Sequence, residues 1–274
     1  MPADLHIHTT CSDSTLTPRQ SISRCAAAGI TIAAITDHDA VAGISEATAA
    51  GAEFGVRIIT GVEMTAYVDK HEIHVVGLCL NAVEPRLVEI LKATREERHT
   101  RIDKMVELLR KLKIDITRER VMKIAGDGAP GRPHVAQALV EMGHVPTIGD
   151  AFKHYIGSTG PAHVPKYQLS PREAVDAIHG AGGVAILAHP GAGLQDSMVR
   201  MLVEQGIDGL EAYHPLHDEF QSMHYELMAE EMNLLVSGGS DSHGDVNEGT
   251  AIGNVKLEDK YVVAIEAKAA SMKK

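Results

Sequence analysis

Tryptophan is absent from this 274-residue chain, and three phenylalanines and six tyrosines bring its aromatics to only 3%. Broad base-stacking platforms for long single strands are therefore not expected, and the core must be built from Val, Ile, Leu, Ala and Met. Positive charge is scarce as well: 26 Lys and Arg stand against 37 Asp and Glu, a formal net charge of -11. Duplex nucleic acid is not an expected partner, because neutralising its phosphates needs surplus cations. A small anionic substrate remains open if bound cations reverse the local field. The three cysteines, Cys11, Cys25 and Cys79, are odd in number and scattered, which points away from a disulfide framework and toward a reducing compartment. No apolar run is long enough to span a bilayer, and no basic leader-like stretch precedes Asp4-Leu5-His6. A soluble, cytoplasmic chain without a membrane partner is expected.

What the sequence does contain is a repeated plan of helix, glycine, short apolar strand and ligand-type residue. Thr17-Pro18-Arg19-Gln20 reads as an N-cap, a proline at the first helical position and a glutamine placed for a capping box. That helix closes at Gly29, and strand Ile30 to Ile35 leads to Thr36-Asp37-His38-Asp39. A second helix, Ile44 to Phe54, stops at Gly55, and strand Val56 to Ile59 leads to Gly61-Val62-Glu63. Ser170-Pro171-Arg172-Glu173 repeats the cap, and strand Val184 to Ala188 delivers His189-Pro190. Ile207 to Ala212 delivers Tyr213-His214-Pro215, and Leu234 to Val236 delivers Ser240-Asp241-Ser242-His243 after two glycines. Continuous apolar strands between helices predict parallel strands buried on both faces, with their C-terminal ends on the one rim where barrel active sites lie.

One region breaks this rhythm. Glu84 to Leu112 reads as a long amphipathic helix, followed by shorter helices at Arg118 to Ala125, His134 to Met142 and Ile148 to Ile156. The expectation is an α/β barrel from residues 1–97 and 166–274, interrupted by an all-helical cap at 98–165.

The strand ends gather a metal-type set. His6 and His8, two apart on a strand, point to the same face and suit one ion. Asp13 follows in the loop, and His38 sits between Asp37 and Asp39, where a carboxylate can orient a metal-bound imidazole. Glu63 could bridge two ions, and His74 lies on the predicted strand Ile73 to Leu80, after a hairpin-like Met64 to His71. His189, Asp241 and His243 complete nine candidates. Imidazoles mixed with carboxylates and no thiolate suit Mn, Fe or Zn better than Ca or Mg, and nine ligands suit three ions.

These residues resemble the polymerase-and-histidinol-phosphatase (PHP) superfamily. Asp4-Leu5-His6-Ile7-His8-Thr9, Thr36-Asp37-His38-Asp39, Gly61-Val62-Glu63, His74, Ala188-His189-Pro190 and Gly239-Ser240-Asp241-Ser242-His243 match its motifs in order. The resemblance implies a distorted seven-stranded (β/α)7 TIM-like barrel with three divalent ions, Mn2+ foremost and Fe2+ or Zn2+ as alternatives. One ion would be held by His6, His8, Glu63 and Asp241, a second by Glu63, His74 and His189, and a third by Asp13, His38 and His243. Ser14 departs from the pattern, where relatives often carry glycine. The helical insert and Gly131-Arg132-Pro133-His134 resemble a narrower branch of stand-alone phosphoesterases. Some of its members remove the 3′-phosphate from adenosine 3′,5′-bisphosphate, and others trim short RNAs from the 5′ end.

The mechanism so implied is in-line attack on phosphorus by a hydroxide bridging two ions. Arg132, His134 and Lys166 are the candidates for phosphate contacts; His214 is a candidate for phosphate contact or general acid, and Asp39 for a catalytic carboxylate. The substrate expected is a small phosphorylated, nucleotide-like molecule. Three other readings are open: a 5′–3′ exonuclease on short oligoribonucleotides, an amidohydrolase-like C–N hydrolase, and a non-catalytic metal-stabilised module.

Overall fold

Capping chemistry starts the helices where the sequence signals them. Thr17 accepts from the Gln20 N–H, and the Gln20 side chain accepts from the Thr17 N–H at 2.9 Å, so α1 (Pro18–Ala27) opens on its proline. Gly55, left-handed at φ 74°, closes α2 (Ile44–Phe54). The remaining helices are α3 (Pro85–Lys111), α4 (Arg118–Ala125), α5 (Arg132–Glu141), α6 (Ile148–Ala151), α7 (Pro171–Gly180), α8 (Asp196–Glu204), α9 (Glu219–Glu231) and α10 (Asp259–Met272). The structure is a computed structural model and describes residues 2–68, 71–126, 130–164, 169–244 and 248–272. Among these, no helix is long and apolar enough to cross a membrane.

Seven strands form one sheet in chain order: β1 (Ala3–Ile7), β2 (Ile32–Ile35), β3 (Arg57–Val68), β4 (His71–Leu78), β5 (Val184–Leu187), β6 (Gly209–Tyr213) and β7 (Leu235–Gly238). The strands that alternate with helices pair in parallel within β1 to β3 and within β5 to β7, while β4, which follows the hairpin-like stretch, runs antiparallel to both β3 and β5. The apolar stretch Val56 to Ile59 is only the foot of a twelve-residue strand that folds back on β4 as a hairpin. A parallel return needs a crossover of a dozen or so residues, usually a helix, and none separates β3 from β4. Glu63 and His74 therefore lie within strands, not at their ends. The sheet edges meet beyond β7, where the Asp241 N–H donates to the His6 carbonyl at 2.8 Å and the His8 N–H to the Ser242 carbonyl at 3.0 Å. A distorted barrel results.

Side-chain alternation divides the two faces of this sheet. Val62, Met64 and Ala66 of β3 pack with Val175, Leu202 and Met228 of the outer helices. On the other face Ile59, Val76, Leu78 and Ile186 pack with Val262, Ile265 and Ala269 of α10. Glu63 shares a face with Ile59, and His74 with Val76, because side chains repeat every second residue along a strand. One end of that face is thus apolar and covered by α10, and the other carries the candidate ligands. The largest fully buried side chains are Leu, Ile and Met, as the lack of aromatics requires.

The chain divides into two compact units, Met1–Leu91 with Gln168–Lys274, and Lys92–Tyr167. The expected border at residue 98 and the division after Leu91 both fall within α3. Ile102, Met105, Val106 and Leu109 of α3 pack on Val121 of α4 and on Val135 and Leu139 of α5, a separate core for the helical unit. The helix expected over Ile148 to Ile156 changes character halfway: Phe152–Ile156 is π-helical and ends with the Gly157 N–H on the Phe152 carbonyl at 2.8 Å. A Cβ on Gly157 would stand 2.5 Å from that carbonyl oxygen, so only glycine permits the wide turn.

Candidate metal centre

Backbone pairing brings the candidates together. The chain beyond β2 stays beside β3: the Glu63 N–H donates to the Asp37 carbonyl at 3.2 Å and the Asp39 N–H to the Glu63 carbonyl at 2.8 Å, which sets His38 next to Glu63. His74 lies opposite Thr65 in the hairpin register, one diagonal step from Glu63. In β1 the pairing register slips between Asp4 and Ile7, a local irregularity that re-aims side chains near His6. Asp39, His189 and Asp241 are left-handed at φ 49°, 31° and 50°. Such strain in non-glycine residues collects at functional sites, where the surroundings over-determine it.

All nine candidates converge. The Glu63 carboxylate lies 3.4 Å from His6 Nε2, 3.2 Å from His8 Nε2, 2.9 Å from Nδ1 of both His38 and His74, and 3.4 Å from His189 Nε2. Asp241 Oδ1 stands 3.0 Å from His8 Nε2 and 3.5 Å from His6 Nε2. Asp13 faces His243 Nε2 at 3.4 Å and His38 Nε2 at 3.8 Å. Potential ligand atoms lie within 4.8 Å of one another in three groups: His6, His8 and Asp241; His8, Asp13, His38 and His243; His38, Glu63 and His74.

Burial alone would push every one of these imidazoles toward the neutral form. At His6 the nearby Glu211, Glu63 and Asp241 outweigh it and hold the pKa well above the ordinary 6.5. The same contest, won by Glu63 with Asp241, raises His8 to about 10, and Glu63 with Glu72 raises His74 to about 9. At His38 desolvation wins and the pKa falls. Burial would raise Glu63, yet the surrounding His38, His74 and His6 hold it well below the carboxylate range, and Asp13 and Asp241 are lowered likewise.

The residues fit divalent ions. His6 Nε2, His8 Nε2, His38 Nδ1 and Glu63 Oε2 are buried and make no hydrogen bond among the described residues. Buried polar atoms are normally satisfied, so lone pairs converging in this way need an electron acceptor. Neighbouring groups fix the rings. The His243 Nδ1–H donates to the Asp241 carbonyl at 2.9 Å, and Glu72 lies 3.4 Å from His74 Nε2.

Asp37, expected as a possible orienter of His38, instead holds the loop after β1, accepting from the Thr9 N–H and hydroxyl at 2.7 Å each and from the Ser12 hydroxyl at 2.6 Å. Asp39 is buried and accepts from the Thr65 N–H at 3.2 Å. His214 is buried too, with Nδ1 accepting from the Leu216 N–H at 3.1 Å and Nε2 3.4 Å from Asp241 Oδ2. Two residues of this neighbourhood were not expected. Glu211 faces His6 Nδ1 at 2.9 Å and was visible only as a lone acid inside the apolar run of β6. His217 accepts from the Gly191 N–H at 3.0 Å and donates to the Ala212 carbonyl at 2.9 Å.

Close approach at Gly239 makes a direct test of this architecture. A Cβ there would sit 2.4 Å from both the backbone nitrogen and the Cβ of His6. Gly239→Ala is expected to cost about 2 kcal/mol, as overpacking does, and to lower metal content, read by thermal unfolding and elemental analysis. Unchanged values in both would mean that β1 has room to shift.

In the helical unit, Arg132 opens α5 with its guanidinium carbon 5.7 Å from the centroid of the Phe152 ring. His134 Nδ1 accepts from the Gly131 N–H at 3.0 Å, so this ring nitrogen caps the helix. Lys166 lies outside the described residues.

The chain is similar to known proteins along most of its length. A 5′–3′ exoribonuclease of Haemophilus influenzae is 35% identical over 245 residues, covering 88% of this chain and 89% of the relative. A 3′,5′-nucleoside bisphosphate phosphatase of Chromobacterium violaceum is 35% identical over 266 residues, covering 92% and 91%. A solved structure from Bifidobacterium adolescentis, assigned as a metal-dependent phosphoesterase, superposes with a TM-score of 0.84 at 32% identity over 97% of this chain and 96% of that one. Residues 4–142 match the PHP domain. With its ordered motifs, its seven-stranded sheet and this full-length likeness, the chain belongs to the PHP domain family.

Proposed function

We propose that this chain hydrolyses the phosphate monoester of a small nucleotide-like substrate, foremost the 3′-phosphate of adenosine 3′,5′-bisphosphate, with three divalent ions held by nine residues. The broad class is plain: it is a metal-dependent hydrolase of phosphoric esters, in keeping with its likeness to a phosphatase, an exoribonuclease and a metal-dependent phosphoesterase. The observation that carries the finer reading is the set of buried, unbonded imidazole and carboxylate atoms around Glu63. His6, His8, Glu63 and Asp241 would hold one ion, Glu63, His74 and His189 a second, and Asp13, His38 and His243 a third. The donor set suits Mn2+ foremost, with Fe2+ or Zn2+ as alternatives. Bound there, the ions would supply Lewis acidity toward phosphoryl oxygens and lower the pKa of water.

The chain's own residues then position and hold charge. Glu63 keeps its carboxylate ionised despite burial and offers two oxygens to the imidazoles around it. A neutral His214, whose Nδ1 accepts from Leu216, carries its proton on Nε2 and directs it at Asp241, so His214 works by orienting that carboxylate. Asp39 works in the same indirect way, tying the Thr65 backbone beside Glu63. Arg132 is the proposed contact for a phosphate of the substrate, since a guanidinium offers a bidentate fork; Lys166 and His134 are proposed beside it. Arg132→Ala is expected to raise KM for a bisphosphate roughly tenfold, the worth of about 1.4 kcal/mol, with metal content unchanged. An unaltered KM would remove Arg132 from substrate binding.

A second reading, 5′–3′ trimming of short oligoribonucleotides, is favoured by the likeness to the Haemophilus enzyme. Incubation with Mn2+ and either adenosine 3′,5′-bisphosphate or a 5′-phosphorylated dinucleotide separates the two. Inorganic phosphate from the bisphosphate alone supports the first reading, and mononucleotide release from the dinucleotide supports the second.

A further inference from the structure

We propose that Glu211 is a positioning residue of this centre: it decides which nitrogen of His6 faces the ions and holds the backbone of His189 in place. The proposal rests on the metal-binding reading above. Glu211 is buried within β6, a strand that carries none of the nine ligand candidates. Its two oxygens serve two different strands. One lies 2.9 Å from His6 Nδ1, from β1, and the other accepts from the His189 N–H at 2.8 Å, just past β5.

The consequence is geometric. With Nδ1 2.9 Å from a Glu211 oxygen, that nitrogen is the ring's donor, and Nε2 is the one turned toward Glu63 and Asp241. His189 is left-handed at φ 31°, an arrangement that needs outside support, and the Glu211 bond supplies part of it. The two rings then lie nearly parallel, 5.9 Å apart, and both Nε2 atoms stand 3.4 Å from the same oxygen, Glu63 Oε1. The pairing of β6 with β7 slips between Glu211 and Tyr213, a local irregularity at this position. His217, from the loop beyond β6, secures the same segment by accepting from the Gly191 N–H, but it does not touch His6.

Glu211→Gln tests the idea because an amide is not symmetric. The His189 N–H cannot lose its proton, so the amide oxygen must turn to it, leaving the NH2 group against His6 Nδ1. A neutral His6 then carries its single proton on Nε2 and has no lone pair for an ion. Full-length wild type, Glu211→Gln and His217→Gln would be stripped with chelator and titrated with Zn2+ as a diamagnetic probe, with circular dichroism and imidazole 15N–1H spectra recorded. Expected are a wild-type His6 protonated on Nδ1 and a folded Glu211→Gln that binds Zn2+ roughly 10- to 100-fold more weakly, with His217→Gln much less affected. Wild-type affinity in Glu211→Gln overturns the proposal, as does an equal loss in His217→Gln, which would assign the effect to loop packing. If Glu211→Gln does not fold, the spectrum of Zn2+-loaded wild type decides, and a His6 Nδ1 without a proton there overturns it. A wild type that binds no Zn2+ refutes instead the metal-binding reading on which this one stands.

Discussion

Replacing Glu63 by glutamine is expected to lower phosphate release by at least roughly a thousandfold, about 4 kcal/mol of barrier at 1.36 kcal/mol per decade. Glutamine keeps the size and shape of the side chain, so the barrel should survive. What changes is charge and polarity at the centre of the cluster, where one carboxylate stands within 3.4 Å of five imidazole rings. Losing the negative charge removes the counter-field that holds cations there, and the new NH2 group points a donor at nitrogens that must act as acceptors. Metal content should fall with activity. Glu72→Gln is the matched control, because Glu72 is a third exposed and faces the cluster at the outer nitrogen of His74, 3.4 Å away. Its expected effect is less than tenfold, the scale of a partly exposed pair. Full activity in Glu63→Gln would mean that the reaction does not depend on this centre.

Removing the metals should abolish turnover and give the protein a different dependence of stability on pH. His8 and His74 are raised to about 10 and about 9 from 6.5 by the carboxylates around them, against the effect of burial. A group whose pKa is higher in the folded state stabilises fully below its unfolded value and loses that contribution as pH climbs through the folded value. Metal-free protein should therefore become less stable between about pH 6.5 and pH 10, in the window set by these two rings. The loaded protein should not, since ions need those imidazoles deprotonated and bind more tightly as pH rises. Thermal unfolding of chelated and Mn2+-loaded protein at pH 7 and pH 9.5 measures this. A fall of roughly 5 °C or more is expected in the chelated sample alone, a size that a contribution of about 2 kcal/mol or more would produce. Parallel slopes in the two samples would show that His8 and His74 are not ligands.

Much of this was legible in the chain because it depends on local patterns. The capping box at Thr17 and Gln20, the stop at Gly55 and the long amphipathic run of α3 act over a few residues, so sequence determines them directly. The metal-type candidates were legible for a related reason. Histidines and acids recur after short apolar strands, and their order along the chain carries the family likeness. The direction of β4 was less visible, since a single apolar stretch looks alike in a parallel and an antiparallel strand, and pairing is decided by the neighbour.

The orienting contacts depended wholly on tertiary structure. Asp37 and Asp39 both flank His38 in sequence, yet one holds the loop after β1 and the other the backbone of β3. Glu211 stands 205 residues from His6 in the chain and 2.9 Å from it in space. A ligand can be recognised by its own chemistry and the strand that precedes it. The group that turns a ligand ring can come from any strand that the closing of the barrel brings near. The sequence by itself therefore determined most of the elements, the candidate ligand types and the family, while tertiary structure alone decided how the strands pair and which carboxylate faces which ring.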